Sequence, residues 1–306
     1  MRFSVETWAP EYGSSIEAED LVDATERVDA TVERPLDDWA PIAVTARERP
    51  ERVLFVDGVR RIDARVWIAR GERVHAGVCA SVAAGVVECC GGTAVVTRAL
   101  VRRAVIAPSA ADATDITTRH ACYAHVPSVA DDAGAAYLAI HARMTALEHE
   151  VVDGDHGAEI VVFDGPLRGR VDACGVGYVK TQHVQYVPDE AVGTLARLGD
   201  GERSPLMLIG DRCWSWYLRL PGLRGHPLAG VVRCELPATG SVAAAVGRAD
   251  VVSACLPRFA SQAHKEPRAP QNLVPIAGLE QRLRHLLGDP IVLDRALRVA
   301  AAQAVA

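Results

Sequence analysis

The hydrophobic positions in the first third of the chain follow the patterns of β-strands. The run RVLFVD (52–57) is almost entirely apolar, which indicates a buried strand, and Gly58 is expected to permit a turn after it. The segment RIDARVWIAR (61–70) alternates between apolar and polar residues, and HAGVCASVAAGVVECC (75–90) follows after the turn GERV. The pattern therefore predicts an antiparallel meander of three strands, with Asp57 at the end of the first strand.

Helical and extended patterns then follow one another to the end of the chain. The segment AAYLAIHARMTALEHEVV (135–152) has the apolar spacing of a helix, whereas EIVVFDG (159–165) and GVGYVKTQ (175–182) have the composition of buried strands. The stretch 107–135 lacks a clear period and is expected to be a loop with one short element. A short helix is expected at 189–199, and further strands are expected within 205–237. The tail, about 240–304, is expected to be mostly helical, with a proline-containing break at 256–275.

An acidic N-terminal region precedes these elements. The segment SSIEAEDLVDATERVD (14–29) predicts a helix that Ser14 or Ser15 would cap. We therefore expect an N-terminal helical extension at residues 1–50 and a single domain at residues 51–306 that ends in helices. The element order in this domain is that of a ribonuclease H-like α/β fold, in which three antiparallel strands and then parallel strands form a mixed sheet flanked by helices.

Composition narrows the classes of protein that fit this fold. The net charge is −6, so no basic field covers the whole molecule, and any binding of nucleic acid must come from a local patch. No run of about 18 uninterrupted apolar residues predicts a transmembrane helix. The N-terminus lacks the basic and apolar regions of a secretory signal, and we expect a cytoplasmic protein that does not bind a membrane.

Cysteine and lysine are used in distinctive ways. The eight cysteines form no CxxC pair and mostly lie in apolar runs, which favours buried free thiols over a zinc site or disulfides. The only lysines are Lys180 and Lys265, in a chain that otherwise uses arginine. Lys180 interrupts an apolar strand, which indicates either a functional ammonium or an edge strand.

Two acidic residues come directly after apolar runs. Asp57 and Asp164 are each followed by glycine, and such an Asp-Gly pair is either a simple turn or the end of a strand that delivers a ligand. Carboxylates on neighbouring strands can hold Mg²⁺ or Mn²⁺, and two such ions can activate water and stabilise charge during phosphodiester hydrolysis. The matched pair therefore predicts a metal-dependent hydrolase site.

Further ligands are expected from the helix and the C-terminal region. Glu148 is the best-placed third acid, with Glu88 as the alternative, whereas Glu150 shares the helix but faces another direction. His264, in QAHKEPR, would complete the set as a ligand or an acid–base group. Candidate contacts to nucleic-acid phosphates are the cationic residues Arg168, Arg219, Lys265 and Arg268.

A series of short motifs resembles the NurA family of DNA-end-processing nucleases, and it spans the chain from about 50 to 270. In order, the motifs are FVDG (55–58), RMTALE (143–148), VVFDGPL (161–167), GYVKT (177–181), YLRLPG (217–222) and QAHKEPR (262–268). The resemblance implies that Asp57, Glu148, Asp164 and His264 are catalytic residues that bind manganese or magnesium. It also implies that Lys180 neutralises or positions the scissile phosphate.

The resemblance also carries expectations about partners. It implies a homodimer that degrades DNA together with a hexameric ATPase of the HerA type during the resection of DNA ends in double-strand break repair. Two other functions remain open from the residues alone. One is a catalytically inactive adaptor that docks onto an ATPase, and the other is a ribonuclease H-like enzyme that acts on RNA.

We predict that nucleic-acid binding by this chain weakens steeply as salt rises, because contacts to phosphates release counterions. The measurement is the dissociation constant for a labelled DNA oligonucleotide at about 50 and about 200 mM salt. An affinity that does not differ between the two conditions would contradict a phosphate-dominated interface.

Overall fold

The computed structural model describes residues 27–44, 50–129, 133–154, 157–167, 174–180, 186–222 and 225–305. The chain divides into two compact units, and each is described by itself. The first unit comprises residues 1–55, 88–94 and 157–277, and the second comprises residues 56–87, 95–156 and 278–306.

The strands of the described residues are β1 (Val28–Asp29), β2 (Val53–Arg70), β3 (Arg73–Cys90), β4 (Thr93–Pro108), β5 (Ile116–Thr117), β6 (Cys122–Ser128), β7 (Ile160–Asp164), β8 (Gly175–Val179), β9 (Met207–Ile209), β10 (Cys213–Arg219) and β11 (Val231–Pro237). The helices are α1 (Ala133–Val152), α2 (Val192–Arg197), α3 (Val242–Cys255), α4 (Val274–Leu286) and α5 (Pro290–Val305). None of these helices is long and apolar enough to cross a membrane.

The sheet of the first unit has the strand order β1-β9-β10-β11-β8-β7. Its strands pair antiparallel, except that β7 and β8 run parallel with Asp164 opposite Tyr178. Strand β8 therefore lies between β11 and β7, so Lys180, which follows it directly, is not explained by an edge strand. The core of this unit is centred on Trp39, Tyr217 and Leu198, which are all at least 95% buried.

The second unit has the strand order β2-β3-β4-β6-β5. The connections β2–β3 and β3–β4 have only two residues each, which requires antiparallel neighbours because a parallel pair needs a long crossover. Strand β6 runs parallel to β4, and β5 runs antiparallel to β6. Helix α1 buries Ile140, Met144, Leu147 and Val151, whose spacing is that of one helical face.

A polar cluster lies inside the second unit. Asp63 of β2 accepts hydrogen bonds from Arg61 Nε at 2.8 Å, from Tyr123 Oη at 3.0 Å and from Ser81 Oγ. Burial raises the pKa of the Cys79 thiol to about 12, and the nearby Asp63 carboxylate acts in the same direction. The same two causes raise the pKa of Tyr123, so its hydroxyl stays a donor to Asp63. The carboxylate is thus held by three donors within an apolar surrounding.

The mixed α/β class is confirmed, whereas the ribonuclease H-like strand order stays a prediction. The prediction of a turn at Gly58 was wrong, because β2 continues through Gly58 to Arg70 and joins the first two predicted strands into one. Strand β4 was not predicted, and the stretch 107–135, which was expected to be a loop with one short element, contains both β5 and β6. The predicted helix at 14–29 lies largely outside the described residues, and its end forms β1 instead.

The remaining expected elements are present. Helices α1 and α2, strands β7 to β11 and the helical tail with its break all occur close to their predicted positions. The cysteines are free thiols; Cys79, Cys89, Cys234 and Cys255 are buried, whereas Cys122 is exposed.

A buried arginine joins distant segments of the first unit. Arg203 is 1% exposed, and its two terminal nitrogens donate to the two carboxylate oxygens of Glu33 at 2.9 Å. Its Nε atom donates to Asp250 Oδ1 at 2.6 Å. Burial alone would lower the pKa of Arg203, but hydrogen bonds from the guanidinium to Glu33 and Asp250 raise it, so the cation is stabilised.

We predict that Arg203→Leu lowers the free energy of unfolding by about 3 kcal/mol, because it leaves two carboxylates without their cation. This is the lower end of the range for buried pairs, since the Asp250 side chain is 36% exposed. Urea denaturation measures the change. The control is Arg284→Leu, whose exposed ion pair with Glu280 stabilises by less than about 0.5 kcal/mol. Equal effects of the two substitutions would contradict the assignment.

Candidate active site

In the second unit, two buried acids border one glycine. Asp57 is 7% exposed on β2, and Glu148 is 5% exposed on α1. The backbone N–H of Gly58 donates to Asp57 Oδ1 at 2.7 Å. A Cβ atom on Gly58 would lie 2.5 Å from Glu148 Oε1 and 2.7 Å from Met144 Cγ. The missing side chain at position 58 therefore lets the Glu148 carboxylate reach β2 directly after Asp57.

The helical period explains why Glu148 occupies this position. Met144 and Glu148 are four residues apart and share a helical face, and both contact the position of the missing Cβ. Glu150 lies two residues further on and is exposed, and it accepts a hydrogen bond from Arg102 Nη2 at 2.7 Å. The alternative third acid, Glu88, is placed in the first unit, where its carboxylate is 2.9 Å from Arg52 Nη2.

The donor chemistry of Asp57 and Glu148 fits a hard divalent cation. Their oxygens are the ligands that Mg²⁺ and Mn²⁺ prefer, and buried carboxylates are stabilised by a nearby positive charge. Within the described ranges, no three His, Cys, Asp or Glu side chains form a group that could hold a metal ion. One or two carboxylates are nevertheless a usual protein contribution to a Mg²⁺ site, where water and substrate phosphates supply the other ligands.

In the first unit, Asp164 and Lys180 form an ion pair. Asp164 Oδ2 lies 2.7 Å from Lys180 Nζ, and the two side chains are 21% and 11% exposed. Gly165 has φ of +103°, a conformation that favours glycine, and it exchanges two backbone hydrogen bonds with Tyr178 at 2.8 and 2.9 Å. Strand β7 thus ends at Asp164, and Gly165 forms a bridge to Tyr178 that holds the carboxylate next to the end of β8.

The Lys180 ammonium continues into a chain of polar contacts. Lys180 Nζ donates to Asn272 Oδ1 at 2.8 Å, and Asn272 Nδ2 donates to Glu266 Oε2 at 3.1 Å. The other Glu266 oxygen accepts from the backbone N and the Nε atom of Arg268 at 3.0 and 3.2 Å. Burial would raise the pKa of Glu266, but the hydrogen bonds from Arg268 and Asn272 lower it below its usual value. The contacts therefore favour an ionised Glu266.

Gln271 forms hydrogen bonds with residues at the end of strand β8. Gln271 Nε2 donates to the Lys180 carbonyl oxygen at 3.0 Å, and Tyr178 Oη donates to the Gln271 carbonyl oxygen at 2.6 Å. Complete burial and the nearby Cys234 and Asp164 raise the pKa of Tyr178 well above its usual value. Tyr178 is thus a neutral structural donor beside the ion pair.

The other predicted site residues are less closely connected. His264 and Lys265 are exposed in the turn that precedes Glu266. Arg268 is partly buried and paired with Glu266 at 3.2 Å. Arg168 lies outside the described residues.

The prediction that Arg219 contacts nucleic acid does not fit the structure. Its side chain is 1% exposed, and its terminal nitrogens donate to the carbonyl oxygens of Ala229 and Pro227, each at 2.5 Å, and of Leu195 at 3.2 Å. A guanidinium committed to backbone carbonyls in the interior cannot bind a phosphate at the surface. Arg219 instead joins β10 to two neighbouring segments.

Sequence reasoning did not identify Glu266, Gln271 or Asn272 as part of this group. Glu266 lies within the QAHKEPR motif, in which the predicted site residues are His264, Lys265 and Arg268. Gln271 and Asn272 directly precede the apolar start of α4, which is an unusual place for a buried polar pair and the one sequence signal that was available. Both are buried, and Asn272 has no exposed surface.

Comparison with known proteins identifies a related fold. No protein-family model matches the chain, and no curated protein sequence matches it. The crystal structure of the NurA nuclease from Sulfolobus solfataricus matches with a TM-score of 0.50 and 11% identity, over 81% of this chain and 82% of that one. Endonuclease V from Bacillus subtilis matches with a TM-score of 0.34 and 10% identity, over 77% and 80% of the two chains. The chain is therefore similar to NurA in fold.

We predict that Gly58→Ala lowers the free energy of unfolding by about 1–3 kcal/mol, because the new methyl group collides with Glu148 and Met144. Thermal and urea unfolding measure the change. The control is Gly247→Ala in α3, where nothing lies within 4 Å of the added atom. That substitution should stabilise the helix by about 0.5–1 kcal/mol, and a similar gain for Gly58→Ala would show that Glu148 does not pack there.

Proposed function

We propose that this chain is a divalent-metal-dependent nuclease that hydrolyses phosphodiester bonds in DNA. The observation that carries the proposal is the approach of the buried Glu148 carboxylate to Gly58, directly after Asp57. Asp57 Oδ1 accepts from the Gly58 backbone N–H, and Glu148 Oε1 packs against the same glycine, so two carboxylates of the kind that bind hard divalent cations lie next to one residue. The similarity in fold to a NurA nuclease over 81% of the chain supports the same reaction class.

Asp57 and Glu148 are the protein ligands of Mn²⁺ or Mg²⁺ in this proposal. Asp164 and His264 are further ligands, on the strength of the sequence motifs that contain them. A bound ion would supply an activated water and would stabilise the charge that develops on the phosphate. Asp164 pairs with Lys180 through Oδ2, and its carboxylate would also contribute to holding the ion.

Lys180 binds the scissile phosphate in this proposal. Its ammonium is compact, nearly buried and held 2.7 Å from Asp164 Oδ2, which places a cation at a defined position. A fixed cation that meets the charge of the reacting phosphate stabilises the transition state without a reorganisation step. Lys265 and Arg268, on the segment that follows His264, are candidates for contacts to the DNA backbone.

We further propose a cellular setting. The chain acts as a homodimer with a HerA-type hexameric ATPase, and it degrades strands at DNA ends during double-strand break repair. The sequence motifs of the NurA type support this setting, since they run through the chain in one order from FVDG to QAHKEPR.

We predict that Glu148→Gln reduces metal-dependent cleavage of end-labelled DNA by about 100-fold or more, since even residues behind metal ligands typically contribute 10–100-fold. The matched control is Glu150→Gln on the same helix, which removes only an exposed ion pair with Arg102 and should leave the rate unchanged. Asp57→Asn and Asp164→Asn should match Glu148→Gln. The assay uses single- and double-stranded DNA with Mn²⁺ or with a chelator.

The alternatives give different results in the same assay. If the wild type and all variants are equally inactive, with and without a HerA-type ATPase, the chain is an inactive adaptor and not an enzyme. Cleavage of RNA alone would keep the metal-dependent reaction and change the substrate. Cleavage that persists in the chelator would exclude the metal-dependent mechanism.

A further inference from the structure

We propose that Asn272 is a positioning residue for Lys180, and that Glu266 sets the orientation of the Asn272 amide. This inference rests on the proposed nuclease function. It is carried by the contact chain from Lys180 Nζ to Asn272 Oδ1 at 2.8 Å and from Asn272 Nδ2 to Glu266 Oε2 at 3.1 Å. All of these residues belong to the first unit.

The chemistry of the chain of contacts requires an amide at position 272. Its oxygen must accept from an ammonium, which has only donors, and its nitrogen must donate to a carboxylate, which has only acceptors when ionised. The opposite orientation of the amide would place two donor groups together and two acceptor groups together. Both carboxylate oxygens of Glu266 accept hydrogen bonds, one from the backbone N and Nε of Arg268 and the other from Asn272 Nδ2, and this arrangement selects one of the two orientations.

The backbone of Lys180 is held by the neighbouring residue. Gln271 Nε2 donates to the Lys180 carbonyl oxygen at 3.0 Å and approaches the Val231 carbonyl oxygen at 3.4 Å. Gln271 and Asn272 are both buried, so these contacts are shielded from competing water. The segment 271–272 thus fixes Lys180 at its backbone and at the end of its side chain.

These contacts set the direction in which the remaining N–H donor of Lys180 points. An ammonium group has three N–H donors, and Asp164 and Asn272 take two of them at 2.7 and 2.8 Å. Within the part of the chain that the structure describes, these acceptors leave the third donor for a phosphate oxygen of the substrate. Loss of Asn272 would free the ammonium to turn about its remaining bond to Asp164. The rate should then fall through misorientation, while the charge stays in place.

The test exchanges the two polar groups. Asn272→Asp places two carboxylates together, and Glu266→Gln lets the Asn272 amide turn over and present its nitrogen to Lys180. In the double variant N272D/E266Q, the introduced glutamine amide can donate to the introduced carboxylate while its oxygen still accepts from Arg268. Each single substitution should therefore be harmful, and the double variant should recover, which a double-mutant cycle measures as coupling.

The first readout does not depend on activity. The chain has only two lysines, so labelling with ¹⁵N-lysine gives two ammonium signals, which Lys265→Arg assigns. In Glu266→Gln the turned amide no longer accepts from Lys180, so we expect the Lys180 ammonium protons to exchange with water about 10-fold faster, the factor for losing one hydrogen bond of a charged group. We expect the same direction in Asn272→Asp, because repulsion from the Glu266 carboxylate turns the introduced acceptor away from Lys180. The double variant should return to the wild-type exchange rate. Far-UV circular dichroism and thermal unfolding verify that each variant is folded.

The second readout is steady-state cleavage of DNA. We expect kcat to fall by about 10- to 100-fold in each single variant with little change in KM, and to recover in the double variant. Unchanged exchange and unchanged kcat in the single variants would overturn the role of Asn272. If the wild type cleaves no DNA but the exchange pattern follows the prediction, the contact chain stands and the proposed nuclease function fails.

Discussion

The absence of a side chain at position 58 is the constraint on which the candidate site depends. A glycine within a strand is less favourable than alanine by about 0.5–1 kcal/mol, because it loses more backbone freedom on folding. Gly58 lies inside the long strand β2 and has no turn to form, so the conformational freedom of glycine does not explain it. The contact with Glu148 does explain it, since any Cβ atom would occupy the place of the carboxylate oxygen.

Several buried charged side chains of the first unit have an oppositely charged partner nearby. Glu235 is 4% exposed, and it accepts from the Leu167 backbone N–H at 2.8 Å and pairs with Arg233 at 2.9 Å. It thereby anchors the chain three residues after Asp164. An unpaired buried charge would be strongly unfavourable, so each of these groups is held by hydrogen bonds as well as by an opposite charge. The backbone close to Asp164 is therefore held on one side by Glu235, and its carboxylate is held on the other by Lys180.

The two Asp-Gly pairs show that the sequence predicts the strands before them but not the path of the backbone after them. Apolar runs before Asp57 and Asp164 predict buried strands, and both strands exist. Gly165 follows the end of its strand and has φ of +103°, whereas Gly58 continues a strand. The dipeptides are identical, and the difference arises from what packs on them, which is helix α1 in the case of Gly58. Local sequence carries no record of a helix that begins about 75 residues later.

Other parts of the site depend on contacts between segments that are far apart in the chain. The helical period correctly separates Glu148 from Glu150, because both lie on one helix. Arg219 was misinterpreted because its carbonyl partners lie up to 24 residues away and are not encoded in its own strand. Asn272 lies 92 residues from Lys180, so the sequence does not show that the two side chains are in contact. It shows only that two polar residues, Gln271 and Asn272, precede the apolar start of a helix. Period and composition therefore predict elements, whereas partners between elements come from the tertiary structure.

The choice of cation also follows from geometry. Arg203 faces a carboxylate that takes both terminal nitrogens at once, an arrangement that suits the planar fork of a guanidinium. Lys180 instead meets two acceptors on separate segments, Asp164 and Asn272, from a single nitrogen. A guanidinium there would be larger, would spread its donors in one plane and could not point the same atom at both acceptors and at a phosphate. In a chain with only two lysines, the ammonium at position 180 is therefore explained by the contacts that surround it.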